Sequence, residues 1–266
     1  MKGRVLAVAG SDSGGGAGIQ ADIKTVTALG GYAATALTAI TAQNTRGVFG
    51  VVSLDPAFVV QQMSLVLEDI GADAIKTGML HSAAVIDAVA DTLERLAPGV
   101  PLVVDPVMVA KGGAALLEPS AAARLTERLL SQASVLTPNL PEAAVLTGLE
   151  LSSADDLARA GQRLLELGAR AALVKGGHLA GDQVVDVLLA RGAPERRFVS
   201  PRIETAATHG TGCTLASAIA TGLAQGMELE PAIVRARSYL QKAMLTARRL
   251  GSGHGPLNHG HAFESR

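Results

Sequence analysis

The sequence predicts a doubly wound α/β domain of one piece, with helices on both faces of a mostly parallel sheet. Three observations support this prediction. Short runs rich in valine, isoleucine and alanine alternate with segments of helical period along the 266 residues. Several of these runs are apolar throughout, as strands covered on both faces are. Glycine and polar residues follow each run, as they do where ligands gather at the carboxyl ends of strands.

Eight strands are predicted. Six apolar runs are expected to form the parallel part of the sheet, and they span residues 4–9, 35–41, 73–77, 102–105, 134–137 and 171–175. The segments 183–190 and 194–199 are joined through "RGA" and are expected to pair antiparallel.

Helices are predicted between these strands. Apolar residues recur every three or four positions in the segments 19–26, 85–96 and 157–167. Ser153 and Asp156 have the spacing of a capping box, and Gly30 and Gly168 stand where helices should end. Two further helices are expected at about 211–225 and 230–249.

The whole chain, 1–266, is expected to form one domain. Residues 251–266 are expected to be a C-terminal tail, in which His259 and His261 are solvated because glycine and polar residues surround them.

The composition excludes several classes of protein. Hydrophobic residues make up 48% and charged residues 18%, which excludes a disordered chain. A net charge of −1 provides no basic field for nucleic acid or an anionic membrane. The single cysteine cannot form an internal disulfide. There is no run of about 18 apolar residues, so a soluble cytoplasmic protein is expected.

The first glycine-rich segment, "GSDSGGGAG" at 10–18, leads from a strand into a helix. It is neither a Walker A loop nor a clean GxGxxG motif, so a ligand-binding loop and a plain flexible turn are both compatible with it. Asp22 follows on the helix and borders its buried face. Its carboxylate is expected either to have a capping or ion-paired role, or to reach back to a polar ligand.

Three further strand ends carry candidate residues. Asn139 and Glu142 in "TPNLPE" have the spacing of a capping box, but could also hold the waters of Mg²⁺ beside a triphosphate. Asp105 ends a strand before a proline, where aspartate often only forms a turn. Lys175 closes a buried strand, where an unpaired charge is costly and a bound phosphate would satisfy it.

The segment "HGTGCT" contains the only cysteine, Cys213, at the start of an apolar helical pattern. The backbone N–H groups of residues 211–214 are expected to point out of the helix N-terminus, where they favour an anion. The same field is expected to lower the pKa of the thiol. Alternatively, Cys213 is a small apolar residue that packs against the helix start.

Together these motifs resemble the hydroxymethylpyrimidine/phosphomethylpyrimidine kinases of thiamine synthesis, which belong to the ribokinase-like superfamily. The resemblance runs from residue 4 to about residue 250 and implies a three-layer sandwich. The segments that carry it are "AGSDSGGGAGIQADIKT", "TALTAITAQNT", "IKTGML", "VVDPVMVAKGG", "LTPNLPEA", "VKGGH" and "HGTGCTLASAIA". Cysteine in the glycine-rich turn, where most ribokinase-like enzymes have aspartate, is the most specific of these features.

The resemblance implies that ATP with Mg²⁺ phosphorylates 4-amino-5-hydroxymethyl-2-methylpyrimidine and then its monophosphate. It implies that Gln43 reads the edge of the pyrimidine. Asp22 and the backbone at Gly10 would help to hold the ring, and Met79 would pack nearby. A homodimer is also implied.

The resemblance also implies roles at the nucleotide end of the site. Asp105, Asn139 and Glu142 would organise Mg²⁺ and its waters, with Asp105 and Glu142 as the metal carboxylates. Lys175 would neutralise the phosphates, and Thr208 would lie at the nucleotide. The anion hole would be formed by Gly210, Thr211, Gly212 and Cys213. Cys213 takes the place of the superfamily's general base. We expect it to position the alcohol or to assist in accepting its proton, rather than to act as a covalent nucleophile.

Three alternative functions remain open from the sequence. A vitamin B6 kinase, acting on pyridoxal or pyridoxine, is the nearest alternative. A dinucleotide-dependent oxidoreductase would need an acidic residue at the end of the second strand, where this chain has "TAQNT". A non-catalytic pyrimidine-binding protein would not need Lys175, the Asn139/Glu142 pair and an anion hole together.

Overall fold

The computed structural model describes residues 1–110 and 113–263, so Lys111 and Gly112 of the "VVDPVMVAKGG" motif lie outside the described residues. The strands are β1 (Arg4–Asp12), β2 (Tyr32–Asn44), β3 (Gly47–Ser53), β4 (Ala74–Thr77), β5 (Leu102–Val104), β6 (Val135–Leu136), β7 (Ala171–Lys175), β8 (Gln183–Ala190) and β9 (Arg196–Pro201). They form one sheet in the order β3-β2-β1-β4-β5-β6-β7-β8-β9.

The centre of the sheet, from β2 to β7, is parallel, and its two margins are antiparallel. The helices are α1 (Gly18–Ala28), α2 (Pro56–Asp69), α3 (Ala83–Leu96), α4 (Pro119–Leu129), α5 (Leu140–Thr147), α6 (Ala154–Glu166), α7 (Thr211–Ala224) and α8 (Leu229–Leu245). A 3-10 turn follows at His259–Ala262. None of the helices in the described ranges is long and apolar enough to cross a membrane.

Alternate residues of the strands build two cores, one on each face of the sheet. In β1, Leu6 and Val8 pack with α2 to α6, whereas Val5 packs with α1, α7 and α8. The prediction of a three-layer α/β fold with a mostly parallel sheet is therefore confirmed.

All eight predicted strands are present, and β3 is a further strand that was not predicted. Its residues are exposed or half-buried and include two glycines, so the segment lacks the apolar run that identified the inner strands. It pairs antiparallel with β2 at the margin of the sheet, where a strand needs only one neighbour. The predicted capping box of α6 is present, because Ser153 Oγ accepts from the backbone N–H of Asp156 at 3.3 Å.

The expectation of a solvated C-terminal tail is wrong for its histidines. His259 and His261 are each only 5% exposed. His259 Nε2 lies 2.9 Å from Thr214 Oγ1, and its carbonyl oxygen accepts from the hydroxyl of Tyr239 at 2.8 Å. The segment is held by side chains from α7 and α8, which are distant in the sequence, so its local polarity gave no sign of burial.

Candidate active site

A cavity of about 740 Å³ opens at the carboxyl ends of the parallel strands. Of the predicted site residues, only Asp22 does not line it. The others do: Gly10, Gln43, Met79, Asp105, Asn139, Glu142, Lys175, Thr208, Gly210, Thr211, Gly212 and Cys213. The sequence motifs therefore converge on one cavity, because parallel strands end at the same edge of a sheet.

Helix α7 begins at this cavity with a turn that requires glycine. Gly210 has φ +85°, and a Cβ atom there would overlap the carbonyl oxygen of Gly16. Thr211, Gly212 and Cys213 form the first turn, where backbone N–H groups lack acceptors within the helix. The N–H of Thr214 was also predicted to be free, but it donates to Gly210 O at 2.9 Å. The anion site therefore has three amides rather than four.

Lys175 brings a positive charge to the same turn. Its Nζ lies 3.1 Å from Asp105 Oδ1, which also accepts from Thr137 Oγ1 at 3.0 Å. A Cβ atom on Gly212 would lie 3.4 Å from Lys175 Nζ, so the ammonium group is directly beside the helix start. Burial lowers the pKa of Lys175, but Asp105 and Glu142 outweigh burial and raise it above its ordinary value. The residue is therefore charged, and Asp105 already provides a partner for it.

Asn139 and Glu142 form the capping box predicted for them, and their role at Mg²⁺ stays a prediction. Asn139 Oδ1 accepts from the N–H of Glu142 at 3.0 Å, and Glu142 Oε2 accepts from the N–H of Asn139 at 2.8 Å, which is a capping box. Both residues also line the cavity. Burial raises the pKa of Glu142 to about 7, with Lys175 opposing this and Asp105 adding to it. The negative charge of Asp105 therefore disfavours ionisation of Glu142.

The part of the cavity lined by Gly10, Gln43 and Met79 is partly apolar. A Cβ atom on Gly10 would lie 2.6 Å from Met79 Cε, so Met79 packs directly over that glycine. The backbone of Gln43 is fixed by Ser13, whose hydroxyl donates to Gln43 O and accepts from Gln43 N, each at 2.9 Å. This end provides one apolar wall and one amide side chain.

Asp22 lies below the cavity. It is fully buried, and both of its carboxylate oxygens lie 3.0 Å from Lys76 Nζ. Ser217 Oγ also donates to Asp22 Oδ1 at 2.7 Å. The ion-paired alternative is thus confirmed for this residue. Asp22 does not line the cavity, and the contact of its carboxylate with a ligand stays a prediction.

The expected low thiol pKa of Cys213 is also corrected. Burial raises the pKa of Cys213 to about 11, with Lys76 opposing this and Asp22 and Asp105 adding to it. The position at a helix N-terminus is as predicted, but loss of hydration outweighs the helix field. The thiol is therefore protonated at neutral pH.

This protonation state predicts slow alkylation. At pH 7 iodoacetamide should modify native Cys213 about 10²-fold more slowly than the same residue in the urea-unfolded chain, because only the thiolate reacts. The native rate should rise through pH 9.5 without a plateau. The chain has one cysteine, so mass spectrometry reports this thiol alone, and Cys213→Ala is the blank. A plateau below pH 8.5 in the native protein would contradict the raised pKa.

Four residues at or below the cavity were not predicted from the sequence. Asp12 and His209 line the cavity and contact each other, and Asp186 and Arg237 form an ion pair in its wall. Arg237 also lies over Phe198, 5.7 Å from the ring centroid. Asp12 could have been noticed as the one acidic residue within the glycine-rich segment.

Comparison with known proteins gives consistent matches. A family model described as phosphomethylpyrimidine kinase matches residues 12–258. A hydroxymethylpyrimidine/phosphomethylpyrimidine kinase of Streptomyces coelicolor is 51% identical, over 97% of this chain and 95% of its own. The thiamine biosynthesis bifunctional protein ThiED of Geobacter sulfurreducens is 56% identical over 97% of this chain, which spans 52% of that longer protein.

Two solved structures are similar over most of their length. A phosphomethylpyrimidine kinase of Clostridium difficile superposes with a TM-score of 0.80 at 42% identity, covering 91% of this chain and 99% of that one. An ADP complex of Bacillus subtilis pyridoxal kinase superposes with a TM-score of 0.90 at 36% identity, covering 100% of both chains.

Proposed function

Because the chain belongs to the phosphomethylpyrimidine kinase family, we propose that it acts as one kinase domain that uses ATP to phosphorylate hydroxymethylpyrimidine and then its monophosphate. One observation carries the proposal. A single cavity has an anion-binding helix start with a lysine at one end and a glycine, glutamine and methionine at the other. A phosphoryl donor and a small ring alcohol can therefore lie in line within it.

We assign the donor end to the first turn of α7 and to Lys175. The amides of residues 211–213 and the Lys175 ammonium group would stabilise negative charge on the transferred phosphoryl group. Asn139 and Thr208 line the cavity and are assigned to the nucleotide. In a loose transition state the alcohol loses its proton late, so little is required of a base. A thiol with a pKa of about 11 suits positioning of the hydroxyl better than proton abstraction.

Asp105 and Glu142 are suited to Mg²⁺. Both line the cavity, and their shared negative charge is what a hard cation with oxygen ligands would relieve. No group of three histidine, cysteine or acidic side chains that could hold a metal is found in the part of the chain the structure describes. Water and phosphate oxygens would therefore complete the shell, as is usual for Mg²⁺. The bound ion would neutralise phosphate charge.

A coupled assay of ADP release tests the proposal with three acceptors: hydroxymethylpyrimidine, its monophosphate and pyridoxal. We expect Mg²⁺-dependent turnover of the first two. Pyridoxal is the second candidate, because a pyridoxal kinase superposes over the whole chain. Turnover of pyridoxal alone would replace the proposal with that activity. No ADP release, together with binding of NADH, would favour an oxidoreductase.

We also propose that the protein is a cytoplasmic homodimer. ATP, the assigned donor, is available in the cytoplasm. Ile40 and Val52, which are paired across β2 and β3, are 48% and 65% exposed, and Phe49 on β3 is 71% exposed, so the sheet margin exposes apolar surface. Patches of this kind are typical of interfaces between proteins. Sedimentation velocity tests this, with Phe49→Lys expected to shift the protein toward the monomer.

A further inference from the structure

Asp12 organises the loop at the acceptor end of the cavity, which we call the acceptor loop (residues 10–18). Its carboxylate is almost fully buried. Oδ1 accepts from the N–H of Gly14 at 2.7 Å, and Oδ2 accepts from those of Gly16 and Ala17 at 2.9 and 2.8 Å. Burial alone would raise the pKa of Asp12, but His209 and these amides lower it below its ordinary value. The loop is therefore folded around an ionised carboxylate.

His209 joins this carboxylate to the segment that leads into the first turn of α7. Its Nε2 lies 2.8 Å from Asp12 Oδ2, although the two residues are 197 positions apart. A Cβ atom on Gly16 would lie 2.5 Å from His209 Cδ2, so the imidazole packs directly against the acceptor loop. The backbone N–H of His209 donates to Gly255 O at 3.1 Å, which holds the residue from the C-terminal side.

The next residue, Gly210, begins the segment that we call the anion-binding turn (residues 210–213). Gly210 itself is in close contact with the carbonyl of Gly16, with no room for a side chain between them. The acceptor loop and the anion-binding turn therefore meet at two adjacent points. One is the polar contact between Asp12 and His209, and the other is the close packing of Gly16 against Gly210. A displacement of either loop would be transmitted to the other through the Asp12–His209 contact.

We propose that Asp12 and His209 are a positioning pair that sets the acceptor loop at a fixed distance from the anion-binding turn. The inference rests on the proposed function, because in-line phosphoryl transfer depends on the distance between the acceptor loop and the anion-binding turn. Neither residue needs to touch the reacting atoms. A misplacement of about 1 Å can reduce a rate about 10²-fold, so this geometric role is large enough to measure.

A double-mutant cycle tests the pair. His209→Ala and Asp12→Asn should each lower kcat by about 10- to 100-fold while changing the KM for ATP by less than about threefold, because the phosphate-binding groups are retained. The double variant should be no slower than the slower single variant, since each change breaks the same link. His209→Gln, whose amide can still donate to Asp12, should recover part of kcat. His254→Ala, which replaces an exposed histidine, is the matched control and should resemble the unmodified chain.

Hydrogen exchange gives a second readout that needs no activity. In folded His209→Ala, the amides of residues 14–17, which donate to Asp12, and the amide of Thr214, which donates to Gly210 O, should both exchange faster. Asp12→Asn should have the same effect on both groups. Faster exchange only in the loop that carries the mutation, or additive losses in kcat, would overturn the positioning pair. If the unmodified chain lacks kinase activity but the exchange changes are coupled, the proposed function fails and the structural coupling stands.

Discussion

Replacing Lys175 with methionine is expected to lower kcat for ATP-dependent phosphorylation by about 10²- to 10³-fold, the usual cost of removing one preorganised charge-stabilising group. Lys175 Nζ lies beside Gly212 in the anion-binding turn and is only 13% exposed, so bulk water cannot replace it at low cost. Its charge is retained at neutral pH because Asp105 and Glu142 raise its pKa. Methionine keeps most of the side-chain volume and removes the charge.

The effect should fall on kcat more than on the KM for the pyrimidine, since Lys175 lies at the donor end. Steady-state kinetics with varied ATP and varied acceptor separates the two. Lys242→Met removes an exposed lysine on α8 and should leave both parameters unchanged. If Lys175→Met raised only the KM for the acceptor, Lys175 would belong to the acceptor end, and our assignment of the two ends would be reversed.

The parts of the fold that were predictable depend on local patterns. Inner strands are apolar runs, and the capping boxes at Asn139 and Ser153 follow from a spacing of three residues. Convergence of the site followed from one rule, that parallel strands end at the same edge. By contrast, β3 has no clear hydrophobic pattern, and it forms a strand because it pairs with the edge of β2.

The polar contacts that support the site were not predictable in the same way. Asp12 and His209 are 197 positions apart, and Lys76 and Asp22 are 54 apart, so no local spacing signals either pair. Cys213 shows the same difference between properties set by local sequence and properties set by long-range packing. Its place at a helix start is a local property, whereas the burial that raises its pKa depends on how α7 packs on the sheet. The protonation state of a side chain therefore cannot be inferred from a sequence motif alone, because it also depends on how deeply the side chain is buried in the fold.

Replacing Lys76 with methionine is expected to lower the free energy of unfolding by about 3–5 kcal/mol, because it leaves the Asp22 carboxylate buried without its counter-ion. Both side chains are 0% exposed. Burial alone would lower the pKa of Lys76, but Asp22, together with Cys213 and Asp105, outweighs burial and holds it above its ordinary value, so the ammonium form is the native one. Equilibrium urea unfolding measures the loss. Arg196→Met, which breaks the exposed Arg196–Glu230 pair, is the matched control and should cost less than about 1 kcal/mol.

The pH dependence of this loss identifies its cause. Burial already raises the pKa of Asp22 above its ordinary value although Lys76 opposes this, and loss of Lys76 should raise it further. The folded variant therefore binds a proton more readily than the unfolded chain. Its stability deficit should therefore be smaller at pH 5 and grow as the pH rises to 8. Adding Asp22→Asn to Lys76→Met removes the stranded charge and should recover much of the deficit at pH 8, with Ser217 still able to donate to the amide oxygen. An equal deficit at both pH values, with no recovery in the double variant, would mean that lost packing rather than an uncompensated charge destabilises the protein.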